Sequence, residues 1–162
     1  MKKINNLKKR DHIIKILKNK GLQVDKVELI RNGINSQAFS LKVDNIKRIL
    51  KIYPVNDNFT RNRLENELSF LKFLEKYNIK NIPSPILWDY KENWMMLSWL
   101  EGKQIENVKT EHINLLIEFI LKVDNLKYKE DAKKIKNASE AFFDINSHLN
   151  CVKKRFSFIC VF

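Results

Sequence analysis

The sequence predicts an α+β fold: an antiparallel sheet with a helix packed on it, followed by a helical region. Three observations carry this. Between residues 27 and 53, three short segments of strand-forming, largely alternating character follow one another, separated by turn residues. An amphipathic helical pattern comes next, over 58–78. Two further strand-like runs, 86–90 and 94–100, then precede patterns of helical period.

Each element has its own local cause. Residues 3–20 carry Ile4, Leu7, Ile13, Ile14 and Leu17 at near-helical spacing, and Gly21 stops the run. VELI (27–30) reads as a strand. RNGINS reads as a turn, because Asn-Gly tolerates positive φ. Residues 37–43 alternate around Ala38, Phe39, Leu41 and Val43, Asp44-Asn45 makes a second turn, and 48–53 forms a third strand ended by Pro54. Strands joined by such short turns meander antiparallel. In the helix over 58–78, Leu64, Leu68, Leu71, Leu74 and Phe70 fall on the apolar side, and Asn78 with Pro83 and Pro85 ends it.

ILWDY (86–90) and WMMLSWL (94–100) are strands joined by the turn KEN. Gly102 marks a break. Helices are predicted over 110–126, around Ile113, Leu116, Ile117 and Ile120, and over about 137–155, around Ala141, Phe142, Ile145, Leu149 and Val152. Asp144-Ile145-Asn146 falls inside the second pattern and reads as helix. The last residues, RFSFICVF, are hydrophobic and β-prone. The organisation is an N-terminal amphipathic helix (1–22), a sheet-and-helix lobe (23–100), a linker (101–107) and a helical region (108–162).

The chain has 162 residues, one domain's worth, and its ordinary apolar content argues against disorder. Its net charge is +12, from 31 Lys and Arg against 19 Asp and Glu. Those lysines are spread along the chain with abundant Asn and Ile, and no RNA- or DNA-binding motif accompanies them, so nucleic acid is not the expected partner. A basic surface would still attract a polyanion such as ATP. No apolar run approaches a membrane span, and the basic N-terminus lacks the unbroken apolar stretch of a signal peptide. A cytoplasmic protein without a membrane partner is expected. Cys151 and Cys160 are too far apart for a metal knuckle and are expected as free thiols.

Three pieces of sequence point to chemistry. Gly33 in RNGINSQAFSLKV would let backbone approach a phosphate, with turn amides and the side chains of Asn35 and Ser36 as donors. Lys51, eighteen residues later in RILKIYP, shares a strand side with Ile49 and Tyr53, opposite Leu50 and Ile52. A cation among apolar strand residues needs a partner. Glu67, sixteen residues further in a helix that must pack on this sheet, can supply it. The third piece is WMMLSWLEG, a buried strand running into a linker. There, unpaired backbone groups at Ser98 and Leu100 could meet the edge of an adenine, beside Leu97 or Met96; Trp94, Met95, Met96 and Trp99 are otherwise expected as core.

In this order the whole resembles the aminoglycoside phosphotransferase and choline kinase family of small-molecule kinases. GINSQAFSLKV looks like that family's shortened phosphate loop, ILKIYP like its lysine strand and ENELSFLKFLEKYNI like its glutamate helix. IPSPILWDY and WMMLSWLEGKQI look like its strand and hinge, with Glu101 and Gly102 matching an "EG" signature. The resemblance covers about residues 25–126 and continues more weakly into ASEAFFDINSHLNCVKKR. It implies a protein-kinase-like N-lobe, a five-stranded antiparallel sheet plus helix, joined by a hinge to an incomplete helical C-lobe. It implies ATP as the nucleotide, with Lys51 on its phosphates, Glu67 holding Lys51, residues 33–36 over the phosphates, Leu97 in the pocket, and Ser98 and Leu100 pairing with adenine.

The family's chemistry also needs a His-x-Asp catalytic loop and an acidic loop for Mg²⁺. His12, His112 and His148 are none of them followed by x-Asp. The expectation is therefore the ATP-binding portion of a kinase acting on a hydroxyl of an amino alcohol, sugar or aminoglycoside, truncated before its catalytic loop. It would be inactive as it stands, with no catalytic residue and no metal ligand of its own. The alternative is a non-catalytic module that binds a nucleotide or a partner chain, or self-associates through the incomplete lobe.

Overall fold

The two-residue period of the strands sorts their side chains onto two faces, and a different helix covers each. The computed structural model describes residues 2–33, 36–54, 62–103, 105–136 and 144–159. Helix α1 (Lys2–Asn19) leads into strands β1 (Val24–Asn32), β2 (Gln37–Val43) and β3 (Ile46–Ile52). Helix α2 (Arg63–Lys76), strands β4 (Pro85–Asp89) and β5 (Trp94–Ser98), and helix α3 (Thr110–Asp124) follow. Two 3₁₀ turns (Asn125–Tyr128 and Glu130–Lys134) and helix α4 (Ile145–Ile159) complete the order. The fold is α+β. Its open sheet has five strands in the order β1-β2-β3-β5-β4, all antiparallel. Among the described residues no helix is long and apolar enough to cross a membrane.

On one face Leu50 and Ile52 of β3 join Phe39, Leu41, Trp94 and Met96 beneath Ile13 and Leu17 of α1. On the other, Ile49, Tyr53, Met95 and Leu97 pack with Leu64, Leu68 and Leu71 of α2. A third cluster joins Phe73 and Leu74 of α2 to Leu126, with Val123, Ala132 and Ile135 against it. Helix α2 is thus buried on two sides. That corrects the expected apolar stripe: Phe73 is buried and Phe70 is exposed. The third cluster is also where the predicted helix over 110–126 ends early. Its last turn tightens into 3₁₀ geometry so that Leu126 can reach α2, and the sequence pattern did not foretell those turns.

Among the described residues asparagine makes most of the left-handed backbone positions. Asp44 and Asn45 have φ of 50° and 65°, the double positive φ of a tight hairpin turn. Asn93 turns the β4–β5 hairpin at φ 55°. Helix α2 is capped at its start by Asn62, whose side chain accepts the Glu65 N–H at 3.0 Å. It ends at Asn78, φ 56°, where the Asn78 and Ile79 amides bond back to Glu75 and Leu74. Gly21, at φ 83°, stops α1 as expected.

The C-terminal elements depart from expectation in two ways. Ile113, Leu116, Ile117 and Ile120 do lie on a helix, but α3 has no buried residue and all four are about half exposed. The segment expected to be β-prone is helical as far as Ile159, where α4 ends. Ala141 and Phe142 of the predicted helix, its predicted residues 137–143 in general, and Cys160 lie outside the described residues; Cys151 is a free, half-buried thiol.

Asp144 is not inside a helix but starts one. Its carboxylate accepts the Ser147 N–H at 2.8 Å and the Ser147 hydroxyl at 2.6 Å. The hydroxyl bond, then the backbone bond, holds this carboxyl below the usual carboxylate range. A depressed folded value means the cap stabilises α4 above the usual carboxylate pKa and is lost as pH falls through the folded one. Asp144→Ala should lower helicity at neutral pH, measured by far-ultraviolet circular dichroism. The difference from the parent should vanish in acid.

Candidate functional site

Lys51 is placed by β3 and held by α2. Across the sheet its neighbours are Ala38 of β2 and Met95 of β5, neither of which can pair with a charge. Helix α2 lies over this face and brings Glu67 down to it, one helical turn from Leu64 and Leu71. The Lys51 Nζ is 2.6 Å from both Glu67 oxygens. Both side chains keep contact with solvent, at 22% and 33% exposure, so the pair sits at the edge of the α2 contact and not under it. An ammonium has three N–H groups. Two are spent on Glu67, and one remains for an anion arriving from the open side.

A third group belongs to this pair. The Tyr53 hydroxyl donates to Glu67 Oε2 at 3.0 Å, and Tyr53 itself is almost fully buried, at 2% exposure. Burial first, and then the Glu67 charge beside it, pushes the phenol far above the usual tyrosine range, so it remains a neutral donor. Sequence reasoning placed Tyr53 on the Lys51 side of the strand but gave it no role at the ion pair. The signal was there, since the strand period puts Tyr53 on the same side as Lys51.

The expected phosphate loop joins β1 to β2 two residues beyond Ala38, the cross-strand partner of Lys51. The Gly33 N–H donates to the Ser36 carbonyl at 3.1 Å and closes it. Gly33 does not take positive φ, contrary to the reading of RNGINS. Its smallness matters for another reason: a Cβ there would lie 3.2 Å from the Ser36 carbonyl oxygen. Asn35 lies outside the described residues.

At the other end of β3 the predicted hinge residues take different roles. Leu97, opposite Ile49, is packed into the α2 cluster at 2% exposure and offers little surface to a ligand; half-buried Ile49 offers more. Of the backbone groups of Ser98, the amide is occupied: it donates to the Ser84 carbonyl at 2.9 Å. The Ser84 N–H returns to the Ser98 hydroxyl at 2.8 Å, where a regular ladder would have used the Ser98 carbonyl. Leu100 is exposed and has no hydrogen-bond partner among the described residues. Trp99, expected as core, is half-buried with the Lys47 ammonium 3.5 Å from its ring, which ties the start of the linker to β3.

Along β3 this face presents Ile49 and then Lys51; the level of Ser98, which pairs with Arg48, lies roughly 10 Å from Lys51 at strand spacing, and the β1–β2 connection lies beyond Lys51 at the other end. For a magnesium ion the described residues offer little, since no three His, Cys, Asp or Glu side chains among them converge on one point. The chain matches no protein-family model and no curated protein.

Proposed function

We propose that this chain is the ATP-binding portion of a small-molecule kinase, with a protein-kinase-like N-lobe formed by the sheet and α2. The observation that carries this reading is the Lys51 ammonium held 2.6 Å from both oxygens of Glu67 at the open edge of the α2 face. Phosphoryl-transfer lobes of the kinase type use such a pair to aim a lysine at the α- and β-phosphates. The order along β3 supports the same placement. The Ser98 carbonyl and the Leu100 amide are an acceptor and a donor at one end, as an adenine edge requires. Ile49 and Lys51 follow, and the described ends of the β1–β2 connection, Gly33 and Ser36, lie beyond Lys51 at the phosphate end of the reading.

The acceptor would be a hydroxyl of an amino alcohol, sugar or aminoglycoside. A polypeptide of these residues should bind ATP without transferring its γ-phosphate, because its sequence carries no His-x-Asp segment to orient a nucleophile and its described residues bring no three metal-ligating side chains together. The test is calorimetric titration of the purified chain with ATP and with adenosine. ATP should bind and adenosine should bind more weakly. Absence of ATP binding at millimolar concentration overturns the reading, and steady ATP-dependent turnover overturns the inactivity.

One observation favours a partner-binding module instead, namely the half-exposed Ile113, Leu116, Ile117 and Ile120 of α3. A sizing profile that stays monomeric at every concentration counts against self-association through that face.

A further inference from the structure

We infer that Tyr53 is a positioning residue: its buried hydroxyl holds the Glu67 carboxylate on Lys51, so that the remaining N–H of Lys51 faces the open side of the sheet. This deepens the nucleotide reading and rests on it for its functional consequence.

Glu67 by itself is a poor clamp. It is a third exposed and has several rotatable bonds, and an ion pair in contact with water is weak. Nothing in the pair alone stops the carboxylate from swinging out and taking the ammonium with it. Tyr53 is the opposite kind of group. Its ring is packed in the α2 cluster, and its backbone N–H donates to the Asn93 carbonyl at 3.0 Å. The Asn93 side-chain amide in turn donates to the Tyr53 and Pro54 carbonyls at 3.4 and 3.2 Å. The hydroxyl therefore projects from a rigid site, and its bond to Oε2 carries that rigidity to Glu67. Lys51 inherits it through two 2.6 Å contacts. The alternative is that the phenol only needs an acceptor because it is buried. In that case removing the hydroxyl would leave Lys51 where it is.

Tyr53→Phe in the full chain separates the two, since it keeps the ring and deletes the hydroxyl. The first readout needs no nucleotide: lysine acetylation by acetic anhydride, mapped by mass spectrometry, with exposed lysines of the same chain as internal standards. Lys51 labelling should rise by about three- to ten-fold, the worth of one hydrogen bond. An unchanged rate overturns the proposal, whatever nucleotides do. The second readout is affinity: ATP should weaken by about the same factor while adenosine, which has no phosphates, should not. Equal loss for both with unchanged labelling would mean a merely structural role and overturn the proposal. Faster labelling with an unchanged ratio of ATP to adenosine affinity would sever the link to nucleotide.

If the parent binds neither ligand, the nucleotide reading fails and labelling alone decides the role of Tyr53. If the Phe variant does not fold, the parent grown with fluorotyrosine is compared with its Glu67→Gln variant. The Tyr53 fluorine signal should move, while those of exposed Tyr90 and Tyr128 stay. A stationary Tyr53 signal overturns the proposal.

Discussion

Trp94→Ala should lower the melting temperature by about 6–20 °C and leave part of the protein unfolded at 37 °C, as expected for about 3–5 kcal/mol lost from a chain of this size. Trp94 is 1% exposed and lies in the cluster that joins Ile13 and Leu17 of α1 to Leu50 and Ile52 of β3. Among the described residues it is the largest of the fully buried side chains, so its truncation removes the most packed volume from the layer between the sheet and α1. Total stability of a domain is about 5–15 kcal/mol, so this one contact layer is a large share of it. Trp94→Phe should cost much less than its volume suggests. The indole Nε1 has no hydrogen-bond partner among the described residues, and an apolar ring leaves nothing unpaired. Thermal and urea melts followed by circular dichroism check both variants. An Ala variant melting within about 2 °C of the parent would mean that α1 is not anchored through this layer.

The same contrast between long-range packing and local pattern explains what could be read in advance. Period-two alternation assigned Leu50 and Ile52 to one face and Ile49, Lys51 and Tyr53 to the other, and both assignments match the two clusters. Turns could be read from Asn and Asp, because a left-handed residue is a local property; Asp44, Asn45, Asn78 and Asn93 all take positive φ. The Lys51–Glu67 contact could be proposed because an apolar strand leaves a cation one way out, toward the helix that packs on it.

What could not be read depends on partners far along the chain. Phe73 is buried and Phe70 is not because Leu126 returns to α2, and nothing in the α2 sequence announces that. The Ser98 amide is used because Ser84 lies beside it, a pairing set by the strand order and not by either segment. Gly33 answers to a need its neighbours in sequence do not announce, the closeness of the Ser36 carbonyl, and not to a positive φ.

Lys51→Met should reduce ATP affinity by about 10- to 100-fold, the loss of a charge-assisted bond of about 1.5–3 kcal/mol, while leaving the fold intact. Methionine has nearly the length of lysine and suits its neighbours Ala38 and Met95. Glu67 loses its cation but keeps the Tyr53 hydroxyl and a third of its surface in water, so no charge is stranded in the interior. Melting temperature should therefore change little, which separates this variant from Trp94→Ala. The size of the affinity change discriminates between two origins of binding. The chain carries 31 basic residues and a net charge of +12. If ATP, or a nucleic acid, is drawn only by that diffuse field, removing one cation among so many should shift affinity by little more than the assay's error, and salt should abolish it. If the phosphates sit on the single N–H that Lys51 has left, one substitution should remove most of the ATP affinity at any salt concentration. Adenosine, which gains nothing from Lys51, should bind parent and variant alike. Equal ATP affinity for parent and Lys51→Met would place any bound nucleotide away from the α2 face.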